Sequence, residues 1–174
     1  MTFEDVIHHE ACGHGFGKLA DEYSEKGTVP SSEITTLRKF QEAGAYCNVD
    51  EHPYVHETLW ARYAGDTRFS FEQLGAYEGA YTYSRGVYRP TVTSIMVSNK
   101  GIFNAPSRAQ IYSRAMSISN NWNWAFDYES FVKFDEHIRS VIYSDTSNSS
   151  NAKAMNIDSE NYIPLAPPVF VLDN

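Results

Sequence analysis

The sequence predicts an α+β fold, mostly helical, and three observations carry that prediction. Apolar residues recur at helical spacing in three stretches: Ile34, Leu37 and Phe40; Ile111, Ala115 and Ile118; and Phe131, Phe134, Ile138 and Ile142. Strand-like alternation is confined to Tyr81 and Tyr83, at the head of an aromatic run that ends at Val87 and Tyr88. A chain of 174 residues with an apolar fraction of 42% is enough for one packed domain. The net charge of −8 argues against nucleic acid or an anionic membrane surface as the main partner. No apolar run is long enough to span a bilayer, and the first residues lack the charged-then-apolar pattern of a signal peptide. The two cysteines permit at most one internal disulfide and say little about compartment.

Thr2 with Asp5 three residues on forms a capping box, which starts a helix at the first residues. That helix runs into His8-His9-Glu10-Ala11-Cys12-Gly13-His14-Gly15-Phe16-Gly17-Lys18-Leu19-Ala20-Asp21-Glu22-Tyr23, which holds three of the six histidines. Two histidines and a glutamate on one helix face are the usual zinc-peptidase device, the histidines holding the metal and the glutamate serving as general base. In an α-helix, side chains four apart diverge by about 40° and those five apart by about 140°. His9 and His14 are five apart, so the helix is expected to absorb one residue as a π-bulge that returns both rings to one face. Gly13 accepts such a distortion cheaply. Gly17 stands three residues after His14, where the pattern H-E-x-x-H-x-x-G-x-x-H has its turn glycine. It is expected to let the chain leave the helix in a left-handed conformation and return a third ligand. Asp21 is the choice for that ligand, and Glu22 is the alternative.

Two blander readings compete. His8 could pair with Cys12 at helical spacing, but this leaves His14 and the acid unexplained; Cys12 reads better as a small residue inside the helix. The stretch could also be an ordinary glycine-rich helix exit, yet glycines at 13, 15 and 17 would each cost up to about 1 kcal/mol of helix stability.

The run H-H-E-A-C-G-H-G-F-G-K-L-A-D-E-Y resembles the active-site signature of the bacterial IgA peptidase family of zinc metallopeptidases, in its H-E-x-x-G-H branch. The resemblance continues through Leu74 to Thr91 (L-G-A-Y-E-G-A-Y-T-Y-S-R-G-V-Y-R-P-T), Ser94 to Met96 (S-I-M) and Phe103 to Arg108 (F-N-A-P-S-R). It implies a zincin or metzincin-like catalytic domain with one zinc ion, a protein or peptide substrate, and a secreted or cell-envelope location. In such folds a sheet precedes the motif helix, and its edge strand pairs with the extended substrate. The chain is therefore expected to be partial, with the upstream part of the domain required: active-site helix and ligand turn over 1–23, lower subdomain over 24–143, linker and extended tail over 144–174.

The remaining elements follow in order. Residues 24–32, polar with Gly27 and Pro30, are expected as a loop. Ser32 is expected to cap a helix from Glu33 to Ala43. Residues 48–53 form a turn-rich connection, where Pro53 disfavours a helix and leaves His52 and His56 as surface histidines. Thr58 to Tyr63 reads as a short helix with Trp60 turned inward. Glu78-Gly79-Ala80 and the following tyrosines read as strand or loop, forming aromatic core beneath the site; alternatively Tyr88 or Arg89 faces substrate and stabilises an oxyanion. The resemblance makes Ser94-Ile95-Met96 a methionine turn under the ligand histidines, against the plain alternative of a buried core methionine. Asn104-Ala105-Pro106-Ser107 starts the next helix, and Asp127 caps another whose apolar stripe is core. His137 is a solvated helix residue, residues 144–151 are a loop, and Pro164-Leu165-Ala166-Pro167-Pro168 must run extended.

The expected chemistry is zinc-assisted peptide hydrolysis, with His9, His14 and Asp21 holding the metal and Glu10 moving the proton. The competing expectation is a catalytically silent, metal-binding interaction module derived from such a peptidase.

Overall fold

The structure, a computed structural model, describes residues 2–147, with side chains through residue 141. The proline-rich tail, the Ile142 side chain and most of the expected linker lie outside the described residues. Helix α1 (Phe3–Ile7) opens with the capping box: Thr2 N donates to Asp5 Oδ2 at 2.6 Å and Asp5 N to Thr2 Oγ1 at 3.2 Å. It continues without a break into a π-helix, His8–Gly17. The one-residue bulge expected between the histidines is thus a ten-residue stretch of wider helix, in which side chains five apart stack. The left-handed exit is made by Lys18 (φ 55°, ψ 39°), not by Gly17. Gly17 is needed for space instead: a Cβ there would stand 2.8 Å from Ile111 Cγ1 and 2.9 Å from the Cys12 carbonyl oxygen.

Residues expected as loop form strand β1 (Ser24–Thr28), all five residues exposed. Nothing in Ser-Glu-Lys-Gly-Thr announces a strand, because main-chain pairing rather than side-chain burial makes it: β1 runs parallel to β3, with Ser24 opposite Thr82 and Thr28 opposite Arg85. Strands β2 (Tyr77–Ala80) and β3 (Thr82–Arg89) form an antiparallel hairpin, giving the order β1-β3-β2. Between the paired residues Ala80 and Tyr83, Tyr81 and Thr82 both take positive φ (53° and 64°), the handedness a two-residue turn needs to match strand twist.

Helix α2 (Ser31–Glu42) begins before Ser32, so that residue is no cap. Pro30 takes the cap position, and its carbonyl accepts from Glu33 N at 3.0 Å and Ile34 N at 3.2 Å. After the short α3 (Ala61–Ala64) and the hairpin come α4 (Ile95–Ser98), α5 (Ala105–Ser119) and α6 (Tyr128–Ser147). Trp60 is fully buried, as expected, and donates to the Gly75 carbonyl at 2.7 Å. Asp127 does cap α6, accepting from Ser130 N at 2.7 Å. The helix runs on to Ser147, so residues 144–147 are helical rather than loop.

The core lies in three clusters. One joins Phe69 to α5 and α6 through Ala105, Ala109, Tyr112, Phe131 and Val132; a second packs Leu37 of α2 on Ala80 and Val87; the third, under the π-helix, is Leu19, Ile95 and Met96. The apolar stripes read from sequence are only partly the buried faces. In α6 Phe131 is buried, but Phe134 is 65% exposed and Ile138 is 40% exposed. The inward position falls to Asp135, whose carboxylate oxygens take Arg108 Nε at 2.7 Å and Nη2 at 2.9 Å. In α5 the buried face is Ala105, Ala109 and Tyr112, while Ala115 and Ile118 are exposed. Phe40 of α2 is exposed too, leaving Leu37 and the partly buried Ile34 to hold that helix.

Candidate metal centre

The π-helix delivers His9 and His14 to one point, their rings edge to face with centroids 4.8 Å apart. The chain turns at Lys18 and returns Asp21 to the same point. Three side-chain atoms then form a small triangle: His9 Nε2 to His14 Nε2 is 3.0 Å, and Asp21 Oδ1 lies 3.2 Å from the first and 3.1 Å from the second. His9 is buried, and His14 and Asp21 are half-buried.

The far side of each ring fixes its proton. His9 Nδ1 sits 2.8 Å from the Ile95 carbonyl oxygen, and His14 Nδ1 sits 2.8 Å from the Leu19 carbonyl oxygen. A carbonyl oxygen only accepts, so each Nδ1 carries hydrogen and each neutral ring presents a lone pair at Nε2. Two nitrogen lone pairs and a carboxylate oxygen at about 3 Å repel unless a cation or proton lies among them. Tetrahedral zinc with bonds of roughly 2.0–2.1 Å sets its ligand atoms about 3.3 Å apart, so the residues fit the metal in donor type and in spacing.

Protons and the metal compete for this triangle. Asp21, by accepting a hydrogen bond from the protonated ring, raises the His14 pKa above the ordinary histidine value, against burial. Burial pushes the Asp21 carboxyl up, but the hydrogen bond and charge of His14, then His9, outweigh it and hold the group below the usual carboxylate range. Glu10 is exposed on the same helix, and its charge acts on both His14 and Tyr23. Burial, and then the charges of Asp21 and Glu25, raise the Tyr23 phenol, which keeps it a donor beside Asp21.

Beneath the triangle, Ser94 caps α4 by accepting from Met96 N at 3.2 Å, and Met96 is fully buried. Its sulfur packs so closely under Gly13 that a Cβ there would be 2.6 Å from Sδ. Gln110 of α5 clasps the end of the π-helix, donating to Gly17 O at 2.6 Å and Lys18 O at 2.7 Å. These are carbonyls that the helix end leaves without intrahelical partners.

The other candidates stand elsewhere. Glu22 points away from the triangle into the interior, where it accepts from Ser94, Asn48, Asn104 and Ser107. Burial pushes its carboxyl above the usual range, opposed by those hydrogen bonds. His8 is exposed, and Cys12 is a free, half-buried thiol outside the triangle. Cys47 is also free, its thiol pushed up to about 11 by burial. Arg89 donates to the carbonyls of Thr91, Glu78 and Gly79, and Tyr88 pairs through its backbone with Asp50. His52 is held by Asp50 at 2.6 Å and His56 is exposed. Among the described residues, His9, His14 and Asp21 form the sole group of three or more metal-ligating side chains that converges in this way.

Sequence reasoning missed the supports. Asn48, Asn104 and Gln110 are single amides in unremarkable contexts, and the orienting groups on the histidines are main-chain carbonyls that no side-chain pattern marks. Asn104 alone left a trace, since it precedes Ala105-Pro106 at the start of α5, and its side chain does accept from Ser107 N at 3.1 Å.

No curated protein matches the chain. No helix among the described residues is long and apolar enough to cross a membrane. Residues 57–115 match the family model described as IgA Peptidase M64. The match begins well after Asp21 and spans α3, the hairpin, α4 and α5 as far as residue 115, so it does not rest on the histidine motif. The resemblance to the IgA peptidase family is shown over residues 57–115.

Proposed function

We propose that the chain carries the metal centre of a metzincin-like zinc endopeptidase, with His9, His14 and Asp21 as ligands and Glu10 as general base. The observation that carries this reading is the triangle of three lone-pair atoms with edges of 3.0–3.2 Å, each ring locked in the tautomer that turns Nε2 inward. Zinc at that point would polarise the scissile carbonyl and lower the pKa of a water to about 7. Glu10, one residue after His9 and near enough for its charge to act on His14, would take the proton of the attacking water and later give it to the leaving amine. Met96, packed under Gly13, which lies between the two histidines in sequence, would support the π-helix in the manner of a methionine turn. The peptidase family match supports a protein or peptide substrate.

The test is Glu10→Gln. The amide cannot accept the water's proton, so zinc content should stay at about one per chain while casein hydrolysis falls by roughly 10²–10⁴-fold. Near-normal turnover would remove Glu10 from the mechanism. A wild-type protein that holds zinc and cleaves nothing would instead assign a metal-holding interaction module.

A further inference from the structure

We propose that Glu22 is a positioning residue of the metal centre, holding in place the two main-chain carbonyls that orient His9 and His14. The inference rests on the metal reading above. Glu22 is fully buried, and its carboxylate accepts from four side chains on three separate parts of the chain: Ser94 Oγ at 2.5 Å, Asn48 Nδ2 at 2.9 Å, and, from the first turn of α5, Asn104 Nδ2 at 3.0 Å and Ser107 Oγ at 3.4 Å. Its main-chain N–H donates to Met96 O at 2.9 Å.

Two of these contacts lead to the ligands. Ser94 precedes Ile95, whose carbonyl holds His9 Nδ1, and Glu22 grips this turn through both its side chain and its backbone. Asn48 also brackets Ala20, accepting from its N–H at 2.8 Å and donating to its carbonyl at 2.9 Å. Ala20 follows Leu19, whose carbonyl holds His14 Nδ1, and precedes Asp21 itself. One carboxylate thus ties both ring-orienting carbonyls to a single point. An apolar side chain of the same volume would fill the space without the cost of burying a charge. Convergence of four donors on one group is what the carboxylate adds.

Glu22→Gln keeps the shape but replaces one acceptor oxygen with an N–H₂ that faces other donors. The experiment measures Co²⁺ affinity of the full chain by chelator competition, with the visible d–d spectrum of the Co²⁺ form. Wild type, Glu22→Gln, Ser94→Ala and Asp135→Asn are compared, each with its melting temperature. Glu22→Gln is expected to weaken Co²⁺ binding by roughly 10–100-fold and to shift the d–d bands, as loss of groups that orient metal ligands does. Ser94→Ala should change both in the same direction, and it decides the matter alone if Glu22→Gln does not fold. Asp135→Asn disturbs another buried carboxylate, remote in its contacts from the triangle; it should lower the melting temperature and leave affinity and spectrum at wild-type values. Wild-type affinity and spectrum in Glu22→Gln and Ser94→Ala, or equal weakening in Asp135→Asn, would overturn the inference and leave the metal site standing. A wild-type chain that binds no Co²⁺ would overturn the metal reading and the inference together.

Discussion

Gly13→Ala is the most direct probe of how the π-helix sits on the turn beneath it. The new methyl carbon would lie 2.6 Å from Met96 Sδ, 3.1 Å from Met96 Cε and 3.5 Å from a ring carbon of Phe103. Ordinary contacts between heavy atoms of this kind are about 3.5–4.0 Å, so the sulfur must withdraw by roughly an ångström. Met96 is fully buried among Leu19, Ile95, Phe103 and Ile111, and has no solvent to retreat into. Overpacking of a closed site costs about 1–3 kcal/mol. In a chain of this size each kcal/mol lowers the melting temperature by roughly 2–4 °C, so a drop of roughly 2–12 °C is expected. The displaced Met96 also drags Ile95, whose carbonyl holds His9 at 2.8 Å. Metal affinity should therefore fall by roughly 10–100-fold. Calorimetry and chelator competition read the two effects. Met96→Ala alone should cost about 2–5 kcal/mol, but less in the Gly13→Ala background, where the methyl fills part of the vacated space. A Gly13→Ala protein with wild-type melting and metal affinity, or a strictly additive double mutant, would refute the reasoning.

Two further expectations follow from the geometry. His14→Ala should abolish tight zinc binding, because two remaining ligands rarely hold the ion; unchanged zinc by elemental analysis would remove His14 from the site. Hydrogen bonds from Arg68, side chain then backbone, hold the Asp66 carboxyl down at about 2 from its ordinary 3.8, despite some burial. Its contribution to stability is thus present above 3.8 and lost as pH falls through about 2. Denaturation midpoints measured from pH 5 to pH 2 should fall more steeply for wild type than for Asp66→Asn, and parallel curves would show that this clasp does not matter.

The site was more legible in the sequence than the fold around it. Histidines five apart with a glycine between them imply a one-residue π-bulge, since no α-helix turns both rings to one ion, and the structure supplies a ten-residue π-helix to the same end. The choice between Asp21 and Glu22 was open, because both side chains lie within reach of a returning loop. What separates them is the buried cage of Ser94, Asn48 and Asn104, gathered from across the sequence. Gly17 supplies space rather than conformational freedom, since a Cβ there would meet Ile111 and the Cys12 carbonyl, while Lys18 carries the positive φ. The helices α5 and α6 were found but their faces were not. An aspartate at 135 looks like a solvent residue until Arg108 arrives from another helix, and Phe134 looks like core until Asp135 has taken the inward place. Strand β1 was invisible because a strand made by pairing to β3 needs no apolar alternation.

That invisible strand has a further consequence. β1 is one of the two outer strands of the sheet, and every one of its residues is exposed. An outer strand offers its unpaired main chain to any neighbouring chain, which is how sheets from different molecules join into aggregates. Here the five positions are Ser24, Glu25, Lys26, Gly27 and Thr28: two opposite charges, a glycine and no aliphatic residue. Two molecules meeting edge to edge would have to desolvate those charges, and Gly27 gives a partner strand nothing to pack on. The composition that hid β1 from pattern reading is thus also its protection, and the tolerance of β1 to substitution should be limited less by folding than by colloidal stability. Valines at 25 and 26 would leave the pairing with β3 intact and turn the edge into an adhesive one.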